Sequence, residues 1–150
     1  MFPYYFHMET LSQNTTVTVL NLFRAAARLE ERFAAGLGAV HGLSLKDALL
    51  LMHVARAEGG RVSRIDLAKH LSVSPSTVTR TTAPLEKRGF VARESHAHDA
   101  RYAFVVLTRA GRTAVANAEA TFGRLSADVF RDRWTPAEIG TLSELLGRLA

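Results

Sequence analysis

Apolar residues follow a helical period over the first quarter of the chain. Between residues 15 and 37 they recur every three or four positions and so line one face of an α-helix. Gly36 and Gly38 stand at the end of this stretch, and glycine commonly marks the point where a helix stops. The pattern therefore predicts a first helix over residues 15–37.

Capping signals divide the next part of the chain into three short helices. Ser44 and Asp47 have the spacing of a capping box, and Ser63 repeats it three residues before an aspartate. Ser74-Pro75 sets a capping hydroxyl before a proline at the first helical position, where the missing N–H costs nothing. The predicted helices span residues 45–57, residues 64–70 and a stretch that starts at residue 75.

The period changes from helical to strand-like after Gly89. Residues 90–94 and 102–107 are rich in β-branched and aromatic side chains, which favours two short strands. The heptapeptide SHAHDAR between them is expected to be the loop of a β-hairpin. Helical signals then return, because Thr108 is a capping residue for a long helix and Thr135-Pro136 opens a last one. These two helices are predicted over residues 109–130 and 136–149.

The length and composition favour a single domain with its own hydrophobic core. The chain has 150 residues, of which 47% are hydrophobic and 22% charged, as is typical of a globular domain. The longest apolar run, residues 48–52, is interrupted by His53 far short of a membrane span, and residues 1–7 lack the basic segment of a signal peptide. There is no cysteine, which excludes disulfides and thiolate zinc sites and fits a cytoplasmic location. Core positions are expected at Leu67, Leu71, Val73 and Leu85.

The net charge of +5 is concentrated in the middle of the chain. Residues 61–112 hold ten Lys and Arg against four Asp and Glu, whereas the other residues hold nine against ten. Charge alone leaves two alternatives, a module that binds a polyanion and an ordinary solvated face. The two short helices and the hairpin lie in the same segment, and this order forms a winged helix-turn-helix, whose second helix enters a DNA major groove. The coincidence of charge and fold therefore favours DNA binding.

Two stretches of this basic segment resemble the MarR family of bacterial transcription regulators. LAKHLSVSPSTVTRTTAPLEKRGFVAR, residues 67–93, is similar to the part of the family that contains the recognition helix, and DARYAFVVLTRAG, residues 99–111, is similar to its wing. The resemblance implies an obligate homodimer, assembled through the N-terminal helix and the last two helices, that binds pseudo-palindromic operators. It also implies control by a small ligand in the crevice between the dimer scaffold and the DNA-binding lobe.

The resemblance completes the predicted architecture. The fold class is mainly α (α+β), a winged helix-turn-helix with a two-stranded β-hairpin wing and an N- and C-terminal helical dimerisation scaffold. Within the single domain, residues 1–42 and 109–150 are expected to form the helical dimerisation region, and residues 43–108 the winged helix DNA-binding lobe.

Basic and hydroxyl side chains supply the candidates for DNA contact. Small hydroxyls in the first two turns of the fourth helix can approach bases or phosphates, and Arg80 beside them can hold either a guanine edge or a phosphate. Arg101 at the wing suits a narrow minor groove, where the negative potential is enhanced. The remaining basic residues are candidate phosphate contacts, with plain solvation as the alternative. The full candidate set is Arg64, Lys69, Ser74, Ser76, Thr77, Thr79, Arg80, Arg93 and Arg101.

Two histidines and two arginines are the candidates for ligand binding. His41 lies at the approach to the second helix and His53 lies on it, and both elements line the expected crevice, although a satisfied, half-buried histidine is the commoner outcome. Arg24 and Arg28 are compatible with an anionic ligand but do not require one. The default for the family is repression that is relieved by a small aromatic or anionic effector.

The two histidines of SHAHDAR do not complete a metal site. His96 and His98 would share a face of an extended strand, but zinc needs three or four ligands and no further ligand is clustered with them. No metal and no cofactor is therefore predicted, and both histidines are expected to be exposed residues of the wing.

The sequence favours a ligand-responsive, DNA-binding regulator over two alternatives. These are a metal-responsive regulator of the same fold and an architectural winged-helix protein without a ligand. An enzyme is not expected, because the pattern offers no Ser/His/Asp arrangement, no phosphate-binding glycine loop and no paired carboxylates in a cleft. The expected partners are a double-stranded DNA operator, a second copy of the chain and a small effector, with no membrane.

Overall fold

The computed structural model describes the backbone of residues 4–96 and 99–149 and the side chains of residues 14–94 and 103–149. This part of the chain forms six α-helices and a three-stranded sheet. A single 3₁₀ turn follows the second helix. In chain order the elements are α1 (Tyr4–His41), α2 (Leu45–Arg56), β1 (Arg61–Ser63), α3 (Arg64–His70), α4 (Pro75–Lys87), β2 (Val91–His96), β3 (Asp99–Leu107), α5 (Arg109–Phe130) and α6 (Pro136–Gly147).

Hydroxyl caps start the helices at the places that the sequence predicts. Each cap accepts a hydrogen bond from the backbone N–H three residues ahead, which satisfies one of the donors that a helix start leaves unpaired. The predicted starts of α2 to α6 are confirmed, whereas α6 ends two residues earlier than predicted. The capping side chains are those of Ser44, Ser63, Ser74, Thr108 and Thr135.

The first helix is longer than predicted, and its glycines have a different role. α1 begins well before the predicted start and continues through both Gly36 and Gly38, so the predicted helix end is wrong. A Cβ added at Gly36 would lie 2.8 Å from Leu125 Cδ1, so this glycine allows α1 and α5 to approach closely. The helix ends instead at His41, because Gly42 takes a φ of 59° that favours glycine.

The predicted hairpin is confirmed, but the prediction that all of SHAHDAR forms its loop is wrong, because β2 continues to His96 and β3 begins at Asp99. A third strand that the sequence did not show pairs with this hairpin. The strand order is β1-β3-β2, and both pairings are antiparallel. β1 has only three residues, too few for an alternating pattern to be visible, and it pairs Arg61 with Val106 and Ser63 with Phe104. The guanidinium of Arg61 lies 4.1 Å from the centre of the Phe104 ring. Because β1 leads directly into α3, it ties the wing to the helix pair.

The core lies between α2, the helix pair α3–α4 and the base of the wing. Leu67 and Leu85 are buried as predicted, and Leu71 packs against the core. Val73 is 38% exposed and is not a core residue, because it lies in the turn between α3 and α4. α2 is at the centre and buries five residues, namely Ala48, Leu50, Leu51, Met52 and Val54.

The start of α5 packs tightly against the base of the wing. Thr108 donates its hydroxyl hydrogen to the carbonyl of Gly89 at 2.6 Å and accepts from the backbone N–H of Gly111 at 3.0 Å. A Cβ added at Gly111 would overlap the carbonyl oxygen of Phe90, so the contact requires glycine. α5 is thereby fixed to the winged elements at one end, and further along it packs on α1.

Among the described residues, no single helix is long and apolar enough to cross a membrane. The segments Asn14–His41 and Leu45–Arg56 are long and apolar enough only when taken together, and the two are bent by 79° relative to each other. The second of these segments is α2, which is the buried centre of the core.

Candidate nucleic-acid interface

The N-terminus of α4 carries three hydroxyl side chains, Ser74, Ser76 and Thr77, which we call the hydroxyl cluster. Ser74 Oγ accepts a hydrogen bond from the backbone N–H of Thr77 at 3.2 Å. The same oxygen lies 2.8 Å from Ser76 Oγ and 2.9 Å from Thr77 Oγ1. Arg80 Nη2 donates to Thr77 Oγ1 at 3.3 Å. One capping serine therefore organises two further hydroxyls and, through Thr77, a guanidinium one turn into the helix.

The buried side of α4 determines which side of the helix faces outward. Val78, Thr82 and Leu85 are buried, at spacings of four and three residues. Ser76 and Arg80 are four residues apart and fall on the opposite side, where both are exposed. The helix N-terminus also carries the positive end of the helix dipole, which favours a phosphate. The outward face of α4 is therefore polar, cationic at Arg80 and suited to a polyanion.

Arg64 is held between the two helices of the pair. Its Nη1 donates to Thr79 Oγ1 at 3.5 Å, and Thr79 donates its own hydrogen to the Pro75 carbonyl at 3.1 Å. Arg64 is half-buried, and its Nε is buried without a hydrogen-bond partner in the described part of the chain. The partly exposed side chain therefore lies against α4.

Two other predicted contacts, Lys69 and Arg93, pair with carboxylates outside the hydroxyl cluster. Lys69 Nζ is 4.0 Å from Asp66 Oδ1 in the previous turn of α3. Arg93 Nε is 3.0 Å from Glu86 Oε2, a bond that ties β2 to the end of α4. Both pairs are solvent-accessible, and such ion pairs are weak in water. Either cation can therefore exchange its carboxylate for a phosphate at little cost.

Arg101, His96 and His98 lie outside the side chains that the structure describes. The backbone of Arg101 belongs to β3 and that of His96 to β2. Among the described residues, no group of three His, Cys, Asp or Glu could hold a metal ion. The predicted contact of Arg101 with DNA stays a prediction.

A cleft of about 570 Å³ opens between α2, α3 and α5. Apolar residues such as Phe122 line part of it, and three basic side chains, His53, Arg56 and His70, line the rest together with Glu119. Arg56 Nη2 donates to Glu119 Oε1 at 3.2 Å, which joins α2 to α5. The cleft therefore combines apolar walls with a predominantly basic polar side.

His53 and His70, which we call the histidine pair, meet in this cleft. Their ring centres are 4.5 Å apart and their planes are inclined by 39°. Burial lowers the pKa of His53 below its usual value of 6.5, and the charges of His70 and Arg56 lower it further. His53 is therefore predominantly neutral at pH 7. The sequence alone does not single out His70, because nothing near it in the chain shows that the end of α3 packs against α2.

The other predicted ligand residues lie away from this cleft. His41 Nε2 is 2.9 Å from the hydroxyl oxygen of Thr121, a buried residue of α5, so this histidine joins α1 to α5. Arg24 and Arg28 are exposed on α1 and do not line the cleft. Of the four candidates, the structure places His53 alone in the cleft.

Both ends of the chain expose large apolar side chains. On α1, Leu20 is half-exposed and Phe23 is 70% exposed. In the C-terminal segment, Leu145 on α6 and Leu149 just after it are exposed, Leu149 to 71%. Clustered apolar exposure of this kind is a mark of an interaction surface.

Comparison with known proteins agrees with the winged helix geometry. Residues 41–101 match the family model described as MarR family. The chain is 30% identical over 117 residues to the HTH-type transcriptional repressor Rv2887 of Mycobacterium tuberculosis, and the match covers 78% of this chain and 82% of that protein.

Solved structures show the same fold. Sco3205, a MarR family transcriptional regulator from Streptomyces coelicolor solved in complex with DNA, superposes with a TM-score of 0.82 at 25% identity, over 89% of this chain and 84% of Sco3205. BpsR of Bordetella bronchiseptica, whose DNA binding is regulated by 6-hydroxynicotinic acid, superposes with a TM-score of 0.75 at 24% identity, over 89% of this chain and 98% of BpsR. The helix pair, the wing and the matched sequence together show that the chain belongs to the MarR family of DNA-binding, winged helix-turn-helix transcription regulators.

Proposed function

We propose that the protein is a transcriptional repressor that binds a pseudo-palindromic DNA operator as a homodimer and releases it when a small effector binds. The observation that supports this most strongly is the outward face of α4, where Ser76 and Arg80 stand exposed on the first two turns. Rv2887 is a transcriptional repressor, and Sco3205 is a regulator solved with DNA. Because the chain shares their family, we expect α4 to be its DNA-binding helix.

The side chains of the winged elements divide into two roles in DNA binding. Ser76 and Arg80 face the bases in the major groove, where the planar guanidinium of Arg80 can donate two parallel hydrogen bonds to a guanine edge. The hydroxyl of Thr77 already holds Arg80, so less side-chain freedom is lost on binding. The contacts to phosphates and to the minor groove come from Arg64, Lys69, Ser74, Thr79, Arg93 and Arg101.

A second copy of the chain covers the exposed apolar faces of α1 and α6. Burial of a side chain the size of Phe23 or Leu149 stabilises an assembly by about 1.5–3 kcal/mol. In this dimer, residues 1–42 and 109–150 form the dimerisation region, and residues 43–108 form the DNA-binding lobe. Two-fold symmetry then separates the two α4 helices by about 34 Å, one turn of DNA.

The effector occupies the cleft between α2, α3 and α5. The volume of this cleft, about 570 Å³, is that of a small-molecule site. Because α5 belongs to the scaffold and α3 to the DNA-binding lobe, a ligand that separates them changes the orientation of α4 and lowers operator affinity. His53 and Arg56 beside apolar walls suit a small aromatic or anionic molecule, and BpsR, which shares the fold, responds to 6-hydroxynicotinic acid.

Binding of the purified protein to DNA from upstream of its own gene tests the repressor proposal. The wild type is compared with Arg80→Ala and with Arg133→Ala, which removes the same charge from the exposed turn before α6. We expect Arg80→Ala to weaken the selective complex by about 1–3 kcal/mol and to relax selectivity at one base pair. Arg133→Ala should leave both affinity and selectivity unchanged.

Stoichiometry and salt dependence complete the test. A repressor dimer gives two protomers per site and an affinity that falls steeply as salt rises, because bound phosphates release counterions. Weak, unselective binding on which Arg80→Ala and Arg133→Ala have equal effects would contradict a sequence-specific repressor. That outcome would favour an architectural DNA-binding protein.

A further inference from the structure

The histidine pair joins the middle of the core to the end of α3. His53 lies on α2, and His70 is the last residue of α3. His70 Nδ1 is 2.9 Å from the carbonyl oxygen of Asp66. A carbonyl oxygen only accepts, so Nδ1 keeps its hydrogen and a further proton must bind at Nε2. The hydrogen bond fixes the His70 ring while leaving its second nitrogen able to take up charge.

The acidic groups that face the histidine pair already have partners. On α5, the carboxylate of Glu119 accepts from Arg56 of α2 at 3.2 Å. On α3, the carboxylate of Asp66 accepts from the Ser63 hydroxyl at 2.6 Å and lies 4.0 Å from Lys69 Nζ. Within the described residues that line the cleft, the remaining neighbours are apolar or glycine. A proton on the pair therefore adds positive charge beside Arg56, and the two nearby carboxylates are already shared with Arg56, Ser63 and Lys69.

Two imidazolium rings cannot keep the contact that two neutral rings make. At a centre-to-centre distance of 4.5 Å, two like charges repel, and His53 is half-buried, so water screens its charge less than that of the exposed His70. Burial is the main cause of the lowered pKa of His53, and the neighbouring charges of His70 and Arg56 lower it further. The contact between α2 and α3 is therefore stable when the rings are neutral and unstable when both are charged.

A movement of His70 passes to the start of the recognition helix. Three residues separate His70 from Ser74, the N-cap of α4. Their backbone is tied back to α3, because the N–H of Ser72 donates to Lys69 at 3.1 Å and that of Val73 to Ala68 at 3.0 Å. The turn therefore moves with the end of α3, and Ser74 and the hydroxyl cluster move with the turn.

We propose that the histidine pair is a proton-dependent latch that holds α3 against α2 when neutral and, when protonated, releases the end of α3 and weakens operator binding. The DNA arm of this proposal rests on the proposed function, because it uses operator affinity to report the position of α4. The contact between the rings is a property of the chain itself and is tested without DNA.

The first arm compares operator affinity at about pH 7.5 and about pH 5.5 in the wild type and in His70→Phe, which keeps a ring but cannot be charged. One unit of pKa difference between two conformations shifts their ratio tenfold. We expect the affinity of the wild type to fall about threefold to tenfold more than that of the variant. If protonation only added positive charge, operator affinity would rise as the pH falls, because protonated histidines attract DNA. A smaller or equal fall in the wild type overturns the latch.

Two further variants control this arm. His53→Phe leaves the hydrogen bond of His70 to Asp66 in place. If both Phe variants show the same reduced pH dependence of operator affinity, the effect comes from titration of the pair and not from loss of that hydrogen bond. His41→Gln removes a histidine that contacts Thr121 instead of the pair, and it should keep the pH dependence of the wild type. Loss of the pH dependence in His41→Gln would overturn the assignment to the pair.

The second arm uses no DNA and follows the histidine ring signals by NMR during a pH titration. The midpoint of His53 should rise in His70→Phe relative to the wild type, because one positive neighbour has been removed. An unchanged midpoint overturns the latch. If this arm succeeds but no selective DNA complex forms at either pH, the proposed function fails and the proton-dependent contact between α2 and α3 stands.

Discussion

His53 connects the protonation of one side chain to the stability of the folded protein. Burial and two positive neighbours lower its pKa in the folded state, so the unfolded chain binds a proton more readily. The stabilising contribution is fully present above the usual pKa of 6.5 and is lost as the pH falls through the lower pKa of the folded state.

The free energy of unfolding should therefore fall more steeply in the wild type than in His53→Gln when the pH is lowered from about 7.5 to about 5.5. Glutamine is polar but does not titrate, so the variant loses the proton linkage of this position. Urea denaturation at the two pH values measures the difference in slope. His41→Gln serves as the control and should behave as the wild type, while equal slopes for the wild type and His53→Gln would contradict the linkage.

For single residues, the sequence predicts interactions between positions close together in the chain and does not predict those between distant positions. The caps at Ser44 and Ser74 were predictable because a capping hydroxyl and the N–H that it binds are three residues apart. The contact between His53 and His70 joins residues seventeen positions apart. It exists only because α2 and α3 pack together, and no short-range pattern reports that packing.

The docking of α5 against the wing depends on one glycine. Gly111 lies in the first turn of α5, and its Cα faces the backbone carbonyl of Phe90. The obstructing atom belongs to the backbone, so it cannot rotate away as a side chain could. The hydroxyl of Thr108 bonds to the same segment and holds the two elements at this distance.

Gly111→Ala should destabilise the fold by about 2–4 kcal/mol, because a methyl group at this position forces α5 away from the wing. Gly123→Ala is the matched control on the same helix, where an added Cβ meets nothing within 4 Å. Alanine is the better helix former, so this control should gain about 0.5–1 kcal/mol. Thermal or urea unfolding measures both changes in the free energy of unfolding. If Gly111→Ala is no less stable than Gly123→Ala, the tight contact is contradicted.

The elements themselves show where periodicity is a sufficient guide and where it fails. α2, α3 and the hairpin strands were predictable because each has a cap or a change of period at its boundary. The sequence pattern predicts a helix end at Gly36, yet this residue lies inside α1, where it accommodates Leu125 of α5. β1 could not be predicted, because three residues are a strand only by virtue of the neighbour that pairs with them.

At the scale of the whole molecule, charge and apolar surface lie on different elements. The basic segment coincides with the helix pair and the wing, whereas, among the side chains that the structure describes, the most exposed large apolar ones lie on α1 and near the C-terminus. The charge distribution was evident in the sequence. The exposure of apolar residues on α1 was not evident, because a helical pattern of apolar positions is the same whether the residues contact their own chain or a second copy.

The proposed dimer predicts that a charge at Phe23 separates the two copies. Among the side chains of α1 that the structure describes, Phe23 is the most exposed large apolar one, at 70%, so Phe23→Glu should leave the fold of one chain intact. Burial of that charge at a symmetric interface occurs twice, and we expect a loss of about 2–4 kcal/mol of association free energy. Sedimentation at several protein concentrations measures the dissociation constant.

Ile65→Glu is the control for this assembly measurement. Ile65 is an apolar residue that is 45% exposed, but it lies on α3, in the part of the chain proposed to bind DNA. The Ile65→Glu variant should remain a dimer, whereas the Phe23→Glu variant should dissociate. Phe23→Glu should then also lose operator affinity, because two half-sites must be bound by separate chains. If Phe23→Glu sediments as the wild type does, this face of α1 is not the interface. If it is monomeric but binds the operator as tightly as the wild type, the two-fold arrangement of the recognition helices is not what gives the protein its affinity.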